Sequence, residues 1–399
     1  MQHSIDPEDG LPRPDADSEA HSRAAAGRLA ELIEASGGSL SFAEFMQEAL
    51  YAPGFGYYSA GATKFGPDGD FVTAPELSPL FGYVIARQAA PILATLGGGD
   101  ILEPGAGSGS LAVSLLTRLE ELDCLPRRYL IFEVSPDLAD RQKRRIEVEI
   151  PQHLDRVRWI ADWPSGFRGV VVANEVLDAL PVERFCIDGE QVKQLRVGLD
   201  DDGGFGWHAA PAPGNLESAV RRIEADIGRE LEDGYVSEVS LGLSGWIGDL
   251  AGAVDEALIL LSDYGVSRRE YYAADRARGW LRCHFRHRVH DNPLLLPGIQ
   301  DITSWVDFSA VARAAESAEL RIAGYLSQAY WLLGGGLEEE LQAFTELPIS
   351  EQVRLSRQVK LLTLPAEMGE NFKCLALSKG KIDAPDVFDC YDRALSLQM

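Results

Sequence analysis

The sequence predicts an α/β protein built on a mostly parallel, doubly wound, Rossmann-like sheet of seven strands. Three observations carry this reading. From Asp100 onward, short apolar runs alternate with stretches of helical period, the order that gives a parallel sheet covered by helices on both faces. The first run, 100–104, breaks into Gly105, Gly107 and Gly109 and then into Leu111, Val113, Leu115, Leu116 and Leu119, a strand, a tight turn and a helix. Alternate glycines allow positive φ and close approach of a ligand, and the helix start offers free N–H groups to a polar or anionic one. The next run, 129–132, ends in Glu133, thirty residues after Glu103. A βαβ unit sets such an acid beside the first loop, where it can accept both hydroxyls of a ribose. An ordinary solvent-facing Glu at a strand end is the plainer alternative.

Taken in order, residues 1–20 hold six acids and three prolines without an aromatic, and read as a disordered tail. Helical spacing over 21–36, and Ser41 with Glu44 as a capping box opening a helix through Leu50, make an N-terminal helical element. Residues 51–71, with five glycines, form a long loop, and a loop of this length tends to be functional. A helix over 77–96 leads into the glycine turn. Strands then follow at 100–104, 128–133, 156–161 and 169–173, with helices at 109–122 and 136–148. Residues 184–244 break the order with short alternating runs and one helix, 217–231, and read as an inserted α+β subdomain with a small antiparallel sheet. Strands 257–261, 321–326 and 372–377, a helix over 308–320 and a helical stretch over 337–359 complete the pattern. The implied organisation is 21–98 as N-terminal helices and lid loop, 99–183 with 245–380 as the core, and 381–399 as a C-terminal tail.

With 399 residues, 46 % hydrophobic and 25 % charged, the chain is long enough for a real core. Its 37 basic and 62 acidic residues give a net charge of -25, which argues against DNA or RNA as partner. No apolar run approaches a membrane span, and the amino terminus lacks the features of a secretory signal, so a cytoplasmic location is expected. Five scattered cysteines do not make a disulfide framework.

Ligands of doubly wound sheets sit at the carboxyl ends of the strands. The fourth strand ends in Asn174, Glu175 and Asp178, suited either to a polar acceptor or to capping the next helix. The strand through 261 ends in Asp263 and Tyr264. Residues 69–76, with Asp70, Thr73 and Glu76, close the long loop and could fold over a bound ligand. Cys283, His284, His287 and His290 have zinc-donor chemistry, but interleaved Arg282, Arg286 and Arg288 would repel a cation, so no metal is expected. Residues 264–290 carry seven arginines, read either as a solvated loop or as a docking surface for an acidic protein stretch.

These pieces together resemble a known family. The ordered set Gly69 to Glu76, Glu103-Pro104-Gly105-Ala106-Gly107-Ser108-Gly109, Glu133-Val134-Ser135, Asn174 to Val182 and Asp263-Tyr264-Gly265 is similar to the MidA-type class I S-adenosylmethionine-dependent methyltransferases. Asp301-Ile302-Thr303, Val306-Asp307-Phe308 and Met368-Gly369-Glu370 agree with it, so the likeness runs from about 41 to 377. Val176 and Trp305 depart from it, at positions where the family tends to carry an aromatic and a His. The resemblance implies S-adenosylmethionine as cofactor and a protein substrate, an arginine on a respiratory complex I subunit. It implies cofactor contacts from Thr73, Glu103, Gly105, Gly107, Gly109, Glu133 and Asn174, and substrate contacts from Asp70, Glu76 and Tyr264. Glu175, Asp178 and Asp263 become the catalytic carboxylates that orient a guanidinium, and Asp162 a partner for the adenine amino group. Two rivals stand beside this reading, an NAD-dependent oxidoreductase using Glu133 on its ribose, and a complex I assembly chaperone without turnover.

Overall fold

Alternation of side chains along apolar strands decides the architecture. In the computed structural model, which describes residues 10–59 and 72–398, Ile101, Val170, Val172, Leu258 and Leu260 face one apolar core. Their neighbours Leu102, Val171, Ala173, Ile259 and Leu261 face a second. A strand buried on both faces reads as an unbroken hydrophobic run, as these do.

The main sheet consists of β1 (Asp100–Pro104), β2 (Tyr129–Phe132), β3 (Val157–Ile160), β4 (Phe167–Asn174), β5 (Val254–Val266), β6 (Arg321–Ser327) and β7 (Phe372–Lys379). Their order is β6-β7-β5-β4-β1-β2-β3, with the two-residue strand Val306–Asp307 paired to the end of β5. β1 to β5 pair in parallel, and β7 runs antiparallel between β5 and β6. The chain leaves β1 toward β2 on one side and reaches β4 on the other, so a crevice opens at the carboxyl end of β1. Gly169 lets β4 close on β1, since a Cβ there would stand 1.8 Å from the Asp100 carbonyl oxygen.

A second layer caps this end of the sheet. Glu183–Asp188, Gln191–Leu199, Phe205–Pro211 and Val236–Val239 form an antiparallel sheet with the helix Gly214–Ile227. Ser39–Ser41 adds to it from the N-terminal segment by pairing with Gln191–Leu199. Ser41 then caps the helix Phe42–Tyr51 in a full capping box with Glu44. Phe42, Phe45 and Leu50 share one core with Val182, Val197, Leu281, Cys283 and Ile302, so the N-terminal element, the insertion and part of the Arg-rich stretch pack as one unit.

Several boundaries differ from expectation. Of the expected 1–20 tail, residues 1–9 lie outside the described ones, and a helix, Ala16–Ala35, opens inside it because Asp15 accepts from the Ser18 N–H. The 381–399 stretch is not a tail: Ile382, Val387, Phe388 and Leu397 are buried. Its Asp392 accepts from the Tyr325 N–H (2.8 Å) and its Arg393 N–H donates to the Tyr325 carbonyl, covering the outer edge of β6. The Arg-rich stretch contains Leu281–Phe285 and Arg288–His290, which join Asp301–Ser304 in a three-stranded sheet. The 337–359 helix is broken into the single turns Glu338–Glu340 and Phe344–Glu346 and the separate helix Ile349–Thr363, because Pro348 cannot continue a helix from the residues before it.

Candidate active site

The glycine turn shapes the crevice through its backbone. Gly105, Gly107 and Gly109 all take positive φ (65°, 53° and 85°), and a Cβ on Gly105 would press the Val176 side chain at 3.1 Å. The chain then enters the helix Ser110–Glu121, whose first residues, Ser110 and Leu111, line the opening. Around the turn lies a cavity of about 370 Å³, within the range of small-molecule sites.

One end of the cavity suits an adenosine. Glu133, on its wall, accepts from the Ser135 N–H (2.9 Å) and from Gln142 Nε2 (2.9 Å). Gln142 also donates to the Gly107 carbonyl and accepts from Trp159 Nε1, so the acid and the turn share one scaffold. Phe132 and Trp163 stand 4.6 Å apart on the same wall, with Trp246 edge-on to Trp163 at 5.6 Å, an aromatic surface against which a flat ring can lie. Asp162 itself is exposed and is not on the wall; its neighbour Trp163 is.

Beneath the turn, Glu103 is 3 % exposed and accepts from the Tyr129 hydroxyl at 2.6 Å. Burial raises its pKa to about 8, against that hydrogen bond, so an empty site holds it largely protonated at neutral pH. Thr73 opens the short helix Ala74–Leu77 on the opposite wall. Glu76 in that helix accepts from Ser110 Oγ (2.6 Å), from Ser108 Oγ and from Arg145 (2.9 Å). These bonds tie Glu76 to the glycine turn, at the cofactor end and not at an acceptor end. Asp70 lies outside the described residues.

At the tips of β4 and β5 the acids divide into two groups. Asn174, Glu175 and Asp178 line the cavity. Glu175 has φ +52°, a left-handed conformation that is strained for a residue with a Cβ. Its N–H donates to the Ser262 carbonyl (2.9 Å), and Asn174 Nδ2 donates to its carboxyl at 3.1 Å. Burial, and then the charge of Asp178, raise the Glu175 pKa to about 8. Asp178 is 4 % exposed, and burial pushes it up although the Tyr264 hydroxyl donates to Oδ2 at 2.5 Å. No hydrogen bond from the described residues reaches its Oδ1.

Asp263 and Tyr264 lie behind this wall, not on it. Asp263 accepts from the N–H groups of Leu177 (2.9 Å) and Asp178 (3.2 Å), and so sets the loop that carries Asp178. Burial and the Asp178 charge raise it far above the ordinary carboxyl range, so the two acids share protons. Gly109 also stands off the wall, as the left-handed cap of the following helix. Of the two departures from the resembled family, Val176 lines the cavity, whereas Trp305 stacks on Trp280 at 4.4 Å, away from the wall.

Sequence reasoning does not single out Tyr51, Tyr58, Trp163, Trp246 or Asp301, all on the wall. The tyrosines sit in and beside the Gly-rich stretch flagged as functional, and Asp301 in a segment shared with the resembled family. Trp246 carries no sequence signal of its own.

Known proteins agree with this geometry. Residues 84–326 match a family model described as "Putative S-adenosyl-L-methionine-dependent methyltransferase". A crystal structure from Burkholderia thailandensis, bound to S-adenosyl-homocysteine, is similar over 97 % of this chain and 100 % of its own, with 38 % identity and a TM-score of 0.90. Among curated relatives, the Drosophila melanogaster protein named protein arginine methyltransferase NDUFAF7 homolog, mitochondrial, is 29 % identical over 93 % of this chain and 89 % of its own. The Homo sapiens protein arginine methyltransferase NDUFAF7, mitochondrial, is 28 % identical over 85 % and 80 %. These names overturn the cytoplasmic location expected from the amino terminus, because relatives spanning most of the chain are called mitochondrial. An address read by a receptor leaves little trace in the composition of a folded domain. No helix among the described residues is long and apolar enough to cross a membrane. With the family model covering well over half of the chain, the protein belongs to the S-adenosylmethionine-dependent methyltransferase family, and the oxidoreductase reading falls.

Proposed function

We propose that the protein methylates an arginine of a protein substrate, and that this substrate is a subunit of respiratory complex I. The observation that carries the arginine reading is electrostatic. Six acids stand on the described wall, Glu76, Glu103, Glu133, Glu175, Asp178 and Asp301, and no Lys, Arg or His among the described residues joins them there. Arg145 pairs with Glu76, and burial holds the pKa values of Glu103, Glu175 and Asp178 up until a cation stands beside them. S-adenosylmethionine, whose sulfonium and amino group are partly balanced by its own carboxylate, supplies part of that positive charge. A cationic acceptor supplies the rest. The names of the curated relatives point to the same acceptor chemistry, and the complex I subunit follows from the resemblance to the MidA-type family.

In this reading Glu133 accepts from the ribose hydroxyls, and Phe132 and Trp163 hold the adenine. The Gly105–Gly109 backbone, Glu103, Thr73 and Asn174 line the path of the amino-acid end. When bound there, S-adenosylmethionine supplies an electrophilic methyl carbon on sulfur. Glu175 and Asp178 grip the guanidinium and turn one nitrogen toward that carbon. Such orientation is the main catalytic contribution open to a site for in-line displacement. Charge on Glu175 also draws the guanidinium electrons toward the reacting nitrogen and receives the proton it releases. Asp263 and Tyr264 act through Asp178.

The test is transfer of labelled methyl from S-adenosylmethionine to purified complex I subunits, followed by acid hydrolysis and amino-acid analysis. Label in methylarginine, lost in Glu175→Gln, is the expected result. Label in another amino acid, or no label with S-adenosylmethionine bound, would refute it, the latter in favour of an assembly chaperone without turnover.

A further inference from the structure

Two of the acids on the acceptor side come from the tip of β4. The third, Asp301, comes from a different layer. It opens the strand Asp301–Ser304 of the three-stranded sheet, opposite His284. It is 1 % exposed, yet it lines the cavity. The Tyr58 hydroxyl donates to its Oδ1 at 3.0 Å. Tyr58 in turn stacks on Tyr51, with ring centroids 5.3 Å apart and planes 27° apart. The Tyr51 hydroxyl donates to the Ala179 carbonyl (2.9 Å), and the Ser304 N–H donates to the Asp178 carbonyl (2.9 Å). The three-stranded sheet and the β4 loop are thereby held in fixed relation.

Electrostatics link the two sides. The charge of Asp301 contributes to the upward shifts of Glu175, Tyr51 and Tyr58, so it is felt where the acceptor would stand. Asp178 Oδ1 is buried in the same wall without a hydrogen-bond donor among the described residues. Buried carboxyls leave such capacity open when a ligand completes it.

We propose that Asp301, with the paired rings of Tyr51 and Tyr58, is the positioning wall that makes this site selective for a planar guanidinium over an ammonium. The proposal rests on the arginine reading above and deepens it. A guanidinium offers five N–H donors in one plane, enough for carboxylates that approach from β4 and from the cap at once, and its face can lie on an aromatic ring. An ammonium is a compact, strongly hydrated charge and has no face to stack. Asp301 therefore sets the plane of the acceptor, while Glu175 and Asp178 hold its edge.

The full-length protein saturated with S-adenosyl-homocysteine tests this by calorimetric titration of Nα-acetyl-arginine methylamide and Nα-acetyl-lysine methylamide. The wild type should prefer the arginine probe. Asp301→Asn should weaken that probe about tenfold, the loss of one charge-assisted hydrogen bond, with S-adenosyl-homocysteine affinity unchanged. Tyr58→Phe, which removes one hydrogen bond to Asp301 without removing its charge, should produce a smaller loss of the same preference. If Asp301→Asn binds the arginine probe as wild type does while Glu175→Gln does not, the Asp301 proposal fails and the arginine reading survives. If the wild type prefers the lysine probe or binds neither, the arginine reading fails and takes this proposal with it. Equal loss of S-adenosyl-homocysteine affinity in Asp301→Asn would assign Asp301 to the fold and overturn the proposal.

Discussion

Replacing Glu175 with Gln should make the protein more stable and less active, and the gain in stability should grow with pH. Glu175 has its pKa raised from an ordinary 4.5 to about 8. A carboxyl raised in the folded state keeps its proton there after the unfolded chain has lost it, so stability is lost as pH climbs from 4.5 toward 8. Taken in full at about 1.4 kcal/mol per unit, the cost is about 0.8 kcal/mol at pH 5 and about 4 kcal/mol at pH 7.5. The side chain faces the cavity and is only partly buried. Water there screens the effect, and about half of the difference, roughly 1.5 kcal/mol, is a fairer figure. Glutamine does not titrate, keeps the shape, and carries the same left-handed backbone cost, so the strain cancels in the comparison. With an unfolding entropy of about 2.1 cal/mol/K per residue over 399 residues, 1.5 kcal/mol is about 2 °C in melting temperature. Melting curves of both proteins at pH 5 and pH 7.5, without ligand, read this directly. The two should nearly coincide at pH 5 and separate at pH 7.5, the variant melting higher. Methyl transfer should fall about 10- to 100-fold in kcat/KM, the worth of one hydrogen bond to a charged group. A variant whose advantage is the same at both pH values would refute the assignment of a partly buried, protonated Glu175. A variant with wild-type turnover would remove it from the mechanism.

Other outcomes follow from the same geometry. Trp163→Ala should weaken S-adenosyl-homocysteine about 10-fold in calorimetry, because an aromatic wall adds about 0.5–1.5 kcal/mol beyond the area it covers. Glu133→Ala should cost about 10- to 100-fold in the same assay, and more than the Trp163 change if both ribose hydroxyls meet the carboxylate. Asp263→Ala should destabilise the fold by about 1–3 kcal/mol, since it strands the N–H groups of Leu177 and Asp178, and should lower kcat with cofactor affinity kept. Equal loss of cofactor binding would contradict that role. S-adenosylmethionine should bind more tightly as pH rises from 6 to 8.5, and more steeply than S-adenosyl-homocysteine. The carboxyls of Glu103 and Glu175, each raised to about 8, attract a sulfonium only once ionised. Parallel pH slopes for the two ligands would count against that coupling.

By itself the sequence determined what depends on neighbours along the chain. The strand before the glycine turn, the capping box at Ser41 with Glu44, and the alternation from Asp100 to Asn174 are local patterns, and the structure follows them within a few residues. Glu103, Glu133, Asn174 and Glu175 were legible for the same reason, because each ends a strand and parallel strands carry their ends to one edge. Only the tertiary structure decided which acids face the cavity. Asp178 and Asp263 look alike in sequence, yet one turns into the cavity and the other accepts backbone N–H groups behind it. Glu76 belongs to the lid segment in sequence, yet Ser108, Ser110 and Arg145 draw it to the glycine turn. Asp301 and Tyr58 are 243 positions apart and meet because the N-terminal segment and the three-stranded sheet share one core. Contacts between distant segments are set by the packing of whole layers, and no local spacing records them.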